Sequence, residues 1–231
     1  MRLINILLTL LIYIFGASLY GAPSWAFIPL DPPGINQALR YGLEHGRFGL
    51  ADVLGPNWIE KPDGTLLNIY SPFMMLATKV AKGRHPANES LTAIKKHYKR
   101  DIEKLTSPYY PVEVKFSLSS FGNDAKFARR LKARIEGVGR GKQFKLYPTK
   151  TIAPPFATAL PSNNEGPLEY EAVTAFYFAA APLNQLETFT LTIEEVSPTA
   201  NSKKSSKENV TPTTELLREP LVFHLKRDRL Y

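Results

Sequence analysis

Apolar residues in this chain recur at a helical spacing up to about residue 107, and at every second position after residue 111. In Gly34–Phe48, Ile35, Ala38, Leu39 and Leu43 fall three, one and four apart, which places them in one stripe of a helix. Gly42, Gly46 and Gly49 interrupt it, and each costs helix stability, so the expected helix is short and frayed. Trp58-Ile59-Glu60, Lys61-Pro62-Asp63-Gly64 and Thr65–Tyr70 predict a hairpin. Its proline presets φ, its glycine accepts a positive φ, and Trp58 is expected to face Ile69. Ser71-Pro72 is a capping serine followed by a first-turn proline. The helix it opens carries Phe73, Leu76, Ala77 and Val80 as its buried stripe and stops at Gly83. A further helix is predicted from Ser90 to Leu105. Leu91, Ile94, Tyr98, Ile102 and Leu105 line one face, and Lys95, Lys96, Lys99, Arg100, Glu103 and Lys104 line the other.

Beyond Pro111 the period is 2. Val112, Val114, Phe116 and Leu118 alternate with Glu113, Lys115 and Ser117, as in a strand with one buried face. Phe127–Glu136 fits both periods. Its flanks favour a strand that turns at Gly137–Gly141 into Gln143–Tyr147. Thr151–Gly166 is rich in proline and asparagine and reads as loop. Glu169–Ala181 (EYEAVTAFYFAAA) is the longest apolar run outside the N-terminus. Its aromatic and β-branched content favours a strand, and apolar residues on both parities predict a central strand covered on both faces. Thr188–Ile193 alternates cleanly, and so does Leu221–Lys226. Residues 197–214 are Ser, Thr, Lys, Asn and Pro, the composition of a flexible loop.

These elements predict an α+β fold without internal repeats. A front of short helices and a hairpin, 27–107, packs on or precedes a mainly antiparallel, β-sandwich-like domain, 111–231.

The N-terminus changes the picture more than any other segment. Arg2 precedes an apolar run from Leu3 to Tyr20, and Ser24-Trp25-Ala26 sets small residues where a signal peptidase requires them. Residues 1–26 are therefore expected to be a signal peptide cleaved after Ala26, which makes the mature protein extracytoplasmic. An uncleaved leader would instead anchor the chain in a membrane. The Trp25-Ala26 ending is similar to export signals common in cyanobacterial proteins, and the overall plan resembles that of exported bacterial proteins. Neither likeness implies an activity. The chain has no cysteine, which excludes disulfides, thiolate metal sites, attached c-type haem and a cysteine nucleophile. Its hydrophobic fraction of 44% supplies a core without such staples.

The search for chemistry yields mostly exclusions. His45, His85, His97 and His224 belong to no metal signature, although His97 and Asp101 stand four apart on one helix. There is no nucleophile elbow, and Gly137–Lys142 lacks the spacing of a phosphate loop. No cofactor, metal or catalytic residue is assigned.

Net charge is +8, and the basic residues cluster. Lys95, Lys96, Lys99 and Arg100 form one group. Arg130, Lys132 and Arg134 form a second, and Arg140 and Lys142 a third. Such groups attract anionic lipid or glycan, and they also fit a merely solvated face; export disfavours nucleic acid. The leading expectation is an exported, non-catalytic module. Its basic surfaces would bind an envelope protein or an anionic envelope component, with membrane contact peripheral at most. The competing expectation is an envelope hydrolase or small-ligand carrier. Its site would lie where the aromatic front, with Trp58, Tyr70, Phe73, Tyr109 and Tyr110, meets the sheet.

Overall fold

The computed structural model describes residues 30–86, 88–107, 112–161, 169–197 and 216–226. The leader, Tyr109, Tyr110, residues 162–168 and the 198–214 stretch lie outside the described residues.

Helix α1 (Pro32–His45) begins two residues before the expected start at Gly34. Asp31 caps it by accepting from Gly34 N at 2.8 Å, and prolines occupy its first turn. At 14 residues it is neither short nor frayed. The glycines that predicted fraying are contact points. A Cβ built on Gly42 would stand 2.3 Å from the Ala77 carbonyl oxygen, and one on Gly46 would stand 2.7 Å from Ala81 Cα. Glycine lets this helix lie directly on its neighbour. Gly42→Ala is expected to lower stability by about 1–3 kcal/mol through overpacking, read as a drop in thermal melting temperature.

A short helix α2 (Leu50–Leu54) follows, and then the hairpin of β1 (Trp58–Glu60) and β2 (Leu66–Tyr70). Trp58 pairs with Asn68, not with Ile69. A one-residue difference in register places Trp58 and Ile69 on opposite faces, and their burial agrees. Ile69 enters the core between the sheets, whereas Trp58 packs against the helices. Helix α3 (Pro72–Lys82) starts at Ser71, whose hydroxyl accepts from Met74 N at 3.2 Å. The predicted Ser90–Leu105 helix is two pieces, α4 (Leu91–His97) and α5 (Lys99–Thr106), bent at Tyr98. Hydrogen bonds from Tyr98 N to Ile94 O and from Ile102 N to Tyr98 O, both 3.0 Å, cross the bend and keep the pieces in one line of contact. Ile94, Tyr98 and Ile102 are buried with Phe73, Leu76 and Leu39 in a core of their own.

The chain then builds β3 (Glu113–Gly122), β4 (Leu131–Gly139), β5 (Lys142–Leu146), β6 (Lys150–Ile152), β7 (Thr158–Ala159) and β8 (Tyr170–Ala179). A single turn, α6 (Ala180–Leu183), leads to β9 (Thr188–Glu195) and β10 (Leu221–Lys226). The first sheet runs β1-β2-β3-β8-β6, with β7 also on β8, and the second runs β10-β9-β4-β5. Every pairing is antiparallel. Phe116, Phe176 and Phe178 from the first sheet share one core with Ile135, Leu191 and Phe223 from the second. This is the expected α+β organisation, with the hairpin serving as the edge of the first sheet.

Three further expectations are corrected. Phe127–Arg130 is a short 3-10 turn, and only from Leu131 does the chain become a strand. The β4–β5 turn is just Arg140-Gly141, with φ of 49° and 71°, because β4 runs on through Gly137 and Gly139. The proline-rich 151–161 segment supplies β6 and β7, short strands on the free side of β8. In β8 itself, alternate residues Ala172, Thr174, Phe176 and Phe178 are buried, but Val173 is 57% exposed. The strand is central in its sheet, and its outer face is only partly covered.

A lysine and tyrosine cleft between the helices and the first sheet

Pairing register sets four residues side by side on the outer face of the first sheet. Tyr70 of β2 is opposite Lys115 of β3, Lys115 is opposite Tyr177 of β8, and Tyr177 is opposite Lys150 of β6. The row alternates ring and ammonium. Lys115 Nζ lies 4.4 Å from the centroid of the Tyr70 ring, and Lys150 Nζ lies 5.7 Å from that of Tyr177. Helices α3 and α5 stand over this row and close a cleft of about 570 Å³, a size suited to a small ligand.

The helix wall adds Lys79, Lys82 and Lys104, with Asp101. Glu113 completes the ionised set on the sheet side. Asp101 is already bonded to Lys79, and Glu113 accepts from the Thr149 hydroxyl. Five ammonium groups therefore face two engaged carboxylates. Pro72, Met75, Leu105 and Val112 give the same cleft an apolar part.

Burial pushes the Lys115 ammonium below the usual lysine range, and repulsion from Lys82 pushes it the same way. Burial raises the Tyr70 phenol, and it raises the Tyr177 phenol with help from Glu113. Both hydroxyls thus keep their protons at neutral pH and can donate. The arrangement is one for holding an anion: cations on two walls, phenol donors on the floor, and little negative charge to compete.

The basic residues singled out from the sequence do not converge on this cleft. Lys95, Lys96, Lys99 and Arg100 belong to the α4–α5 junction, where Lys96, Lys99 and Arg100 are exposed. Lys99 meets Glu103 at 3.7 Å on that open surface. Arg130 is bonded to Asp124 and Glu195, and Arg134 to Glu194 and Glu136, so neither is free for a partner. Lys132 is exposed and in register with Glu194, and Arg140 lies in the exposed β4–β5 turn with Lys142 just after it. Of the aromatic residues expected at the seam, Tyr70 lines the cleft, Phe73 is buried among the helices, and Trp58 is half-buried against them. Asp101 turns to Lys79, while His97 packs edge-on against Tyr98. Among the described residues no three His, Asp or Glu side chains gather in a way that would hold a metal.

Comparison with known proteins finds no matching family model, no matching curated protein and no matching solved structure. Among the described residues no helix is long and apolar enough to cross a membrane.

Proposed function

We propose that this protein is an exported, non-catalytic α+β module that holds an anionic component of the cell envelope in the cleft between α3, α5 and the first sheet. The leader at residues 1–26 supports export. The Tyr70–Lys115–Tyr177–Lys150 row facing the helix lysines carries the binding reading. It joins the two sequence expectations, since the ligand is anionic and the site lies at the helix–sheet seam.

Lys115 makes the argument specific. A partly buried ammonium near a second ammonium opposes folding. With its pKa lowered, the folded chain binds fewer protons than the unfolded chain as pH rises through the folded value. Stability therefore increases with pH there, and below that value the penalty is present in full. Lys115→Met is expected to raise the melting temperature at neutral pH and to flatten this alkaline gain. The same change should weaken binding to an anionic ligand about ten- to a hundredfold, the loss of one charged hydrogen bond. Retention on anionic vesicles and on an acidic glycan, at low and high ionic strength, measures the binding. Salt-sensitive retention lost in Lys115→Met supports the reading. Absence of retention at low salt, or retention unchanged by the substitution, removes it.

A further inference from the structure

Of the five cleft lysines, Lys82 and Lys115 are the pair that repel each other, while Lys104, in the last turn of α5, likewise has no carboxylate bonded to it among the described residues. Lys79 is occupied by Asp101, and Lys150 lies over Tyr177 at the far side of β8. Lys82 on the last turn of α3 and Lys115 on β3 line the same cleft and repel each other, and no carboxylate bonds to either among the described residues. The Tyr70 ring beneath Lys115 holds that ammonium in the cleft. One doubly charged anion between the two would satisfy both, whereas a single carboxylate would leave most of their repulsion in place. Met75, Leu105 and Val112 give the same cleft apolar surface.

We infer that Lys82 and Lys115 clamp the dianionic head of a phosphate monoester, with its apolar body against Met75, Leu105 and Val112. This rests on the anion-cleft reading and narrows it to a ligand class. A phosphate monoester carries close to two charges at neutral pH and reverts to one below about pH 6, so affinity should fall as pH drops through that value. The other ionisable groups facing the cleft are Lys79, Lys104, Lys150, Asp101 and Glu113, with the phenols of Tyr70 and Tyr177.

Calorimetric titration of the full chain with inorganic phosphate, hexyl phosphate and hexanoate at pH 7.5 and about pH 5.5 would test it. Hexyl phosphate is expected to bind about tenfold tighter than hexanoate at the higher pH and to lose that advantage at the lower one. It should also bind tighter than inorganic phosphate, and vesicles containing a phosphate-monoester lipid then show whether a membrane-held head is accepted. Lys82→Gln and Lys115→Gln should each remove the preference, and Lys96→Gln, outside the cleft, should not. A second measurement needs no variant: bound hexyl phosphate should slow amine labelling of Lys115 in the unaltered protein, read by mass spectrometry. Hexanoate binding as well as hexyl phosphate, or labelling of Lys115 unaffected by bound hexyl phosphate, overturns the clamp and leaves the anion cleft standing. Binding of none of the three overturns both.

Discussion

Glu195→Ala is expected to cost about 3–5 kcal/mol, measured as the loss of unfolding free energy in urea. Glu195 closes β9 and is only 6% exposed. It accepts from Arg130 Nε at 3.0 Å, and its other oxygen meets Arg218 Nε at 3.2 Å. Arg130 also donates to Asp124, and Arg218 to the Phe121 carbonyl, while the Arg218 guanidinium lies 5.6 Å from the Phe127 ring centroid. The network thus joins the ends of β3 and β9, the 3-10 turn and the segment that leads into β10. Without the carboxylate, two part-buried guanidinium groups face each other with nothing between them. Glu136→Ala offers the contrast. It is 45% exposed, its partner Lys145 lies in the open and Arg134 keeps its bond to Glu194, so its loss should cost no more than about 1 kcal/mol. If both substitutions cost the same, the network is not what joins the sheets.

The same network sets an acid limit. The Arg130 guanidinium, hydrogen-bonded to Asp124, holds that carboxyl below its usual range. A lowered carboxylate pKa contributes stability that is complete above the unfolded value, about pH 4, and is lost as pH falls through the folded one. Because Asp124 is half exposed, solvent screening reduces the effect, and the acid loss should be a modest shoulder.

Much of the scaffold is legible in the sequence, because a strand with one buried face must alternate. Val114, Phe116 and Leu118, then Phe189, Leu191 and Ile193, then Phe223 and Leu225 all fall inward as their parity requires. The Ser71-Pro72 cap likewise states its helix start locally. The cleft is not legible, because its floor is assembled from positions 70, 115, 177 and 150 by pairing register between strands distant in the chain. In its own strand Lys115 is simply an outward polar residue between Val114 and Phe116. The densest basic run, 95–100, drew attention through closeness in sequence. Its own helix pair instead gives the cleft Asp101 and Lys104, a turn further on. Gly42 shows a second limit. Helix propensity penalises it correctly, but the need for close approach to Ala77 arises only once two helices are packed.

Phe176→Ala is the other change expected to be severe, at about 3–5 kcal/mol. Phe176 is fully buried in the longest apolar run outside the N-terminus, on the face of β8 turned toward the second sheet. It pairs with Phe116 across β3 and with Thr151 across β6, so the void would open where both sheets contribute side chains. Val173 sits three residues earlier on the opposite face, and there alanine should cost under about 0.5 kcal/mol. The two together test what β8 is. A large cost at 176 with almost none at 173 is the signature of a strand with one packed face, and it leaves the outer face of the first sheet, where Tyr177 lies, open to a ligand. A comparable cost at both positions would mean that something covers Val173 in the folded protein, and the row from Tyr70 to Lys150 would then be interior structure and not the floor of a binding cleft.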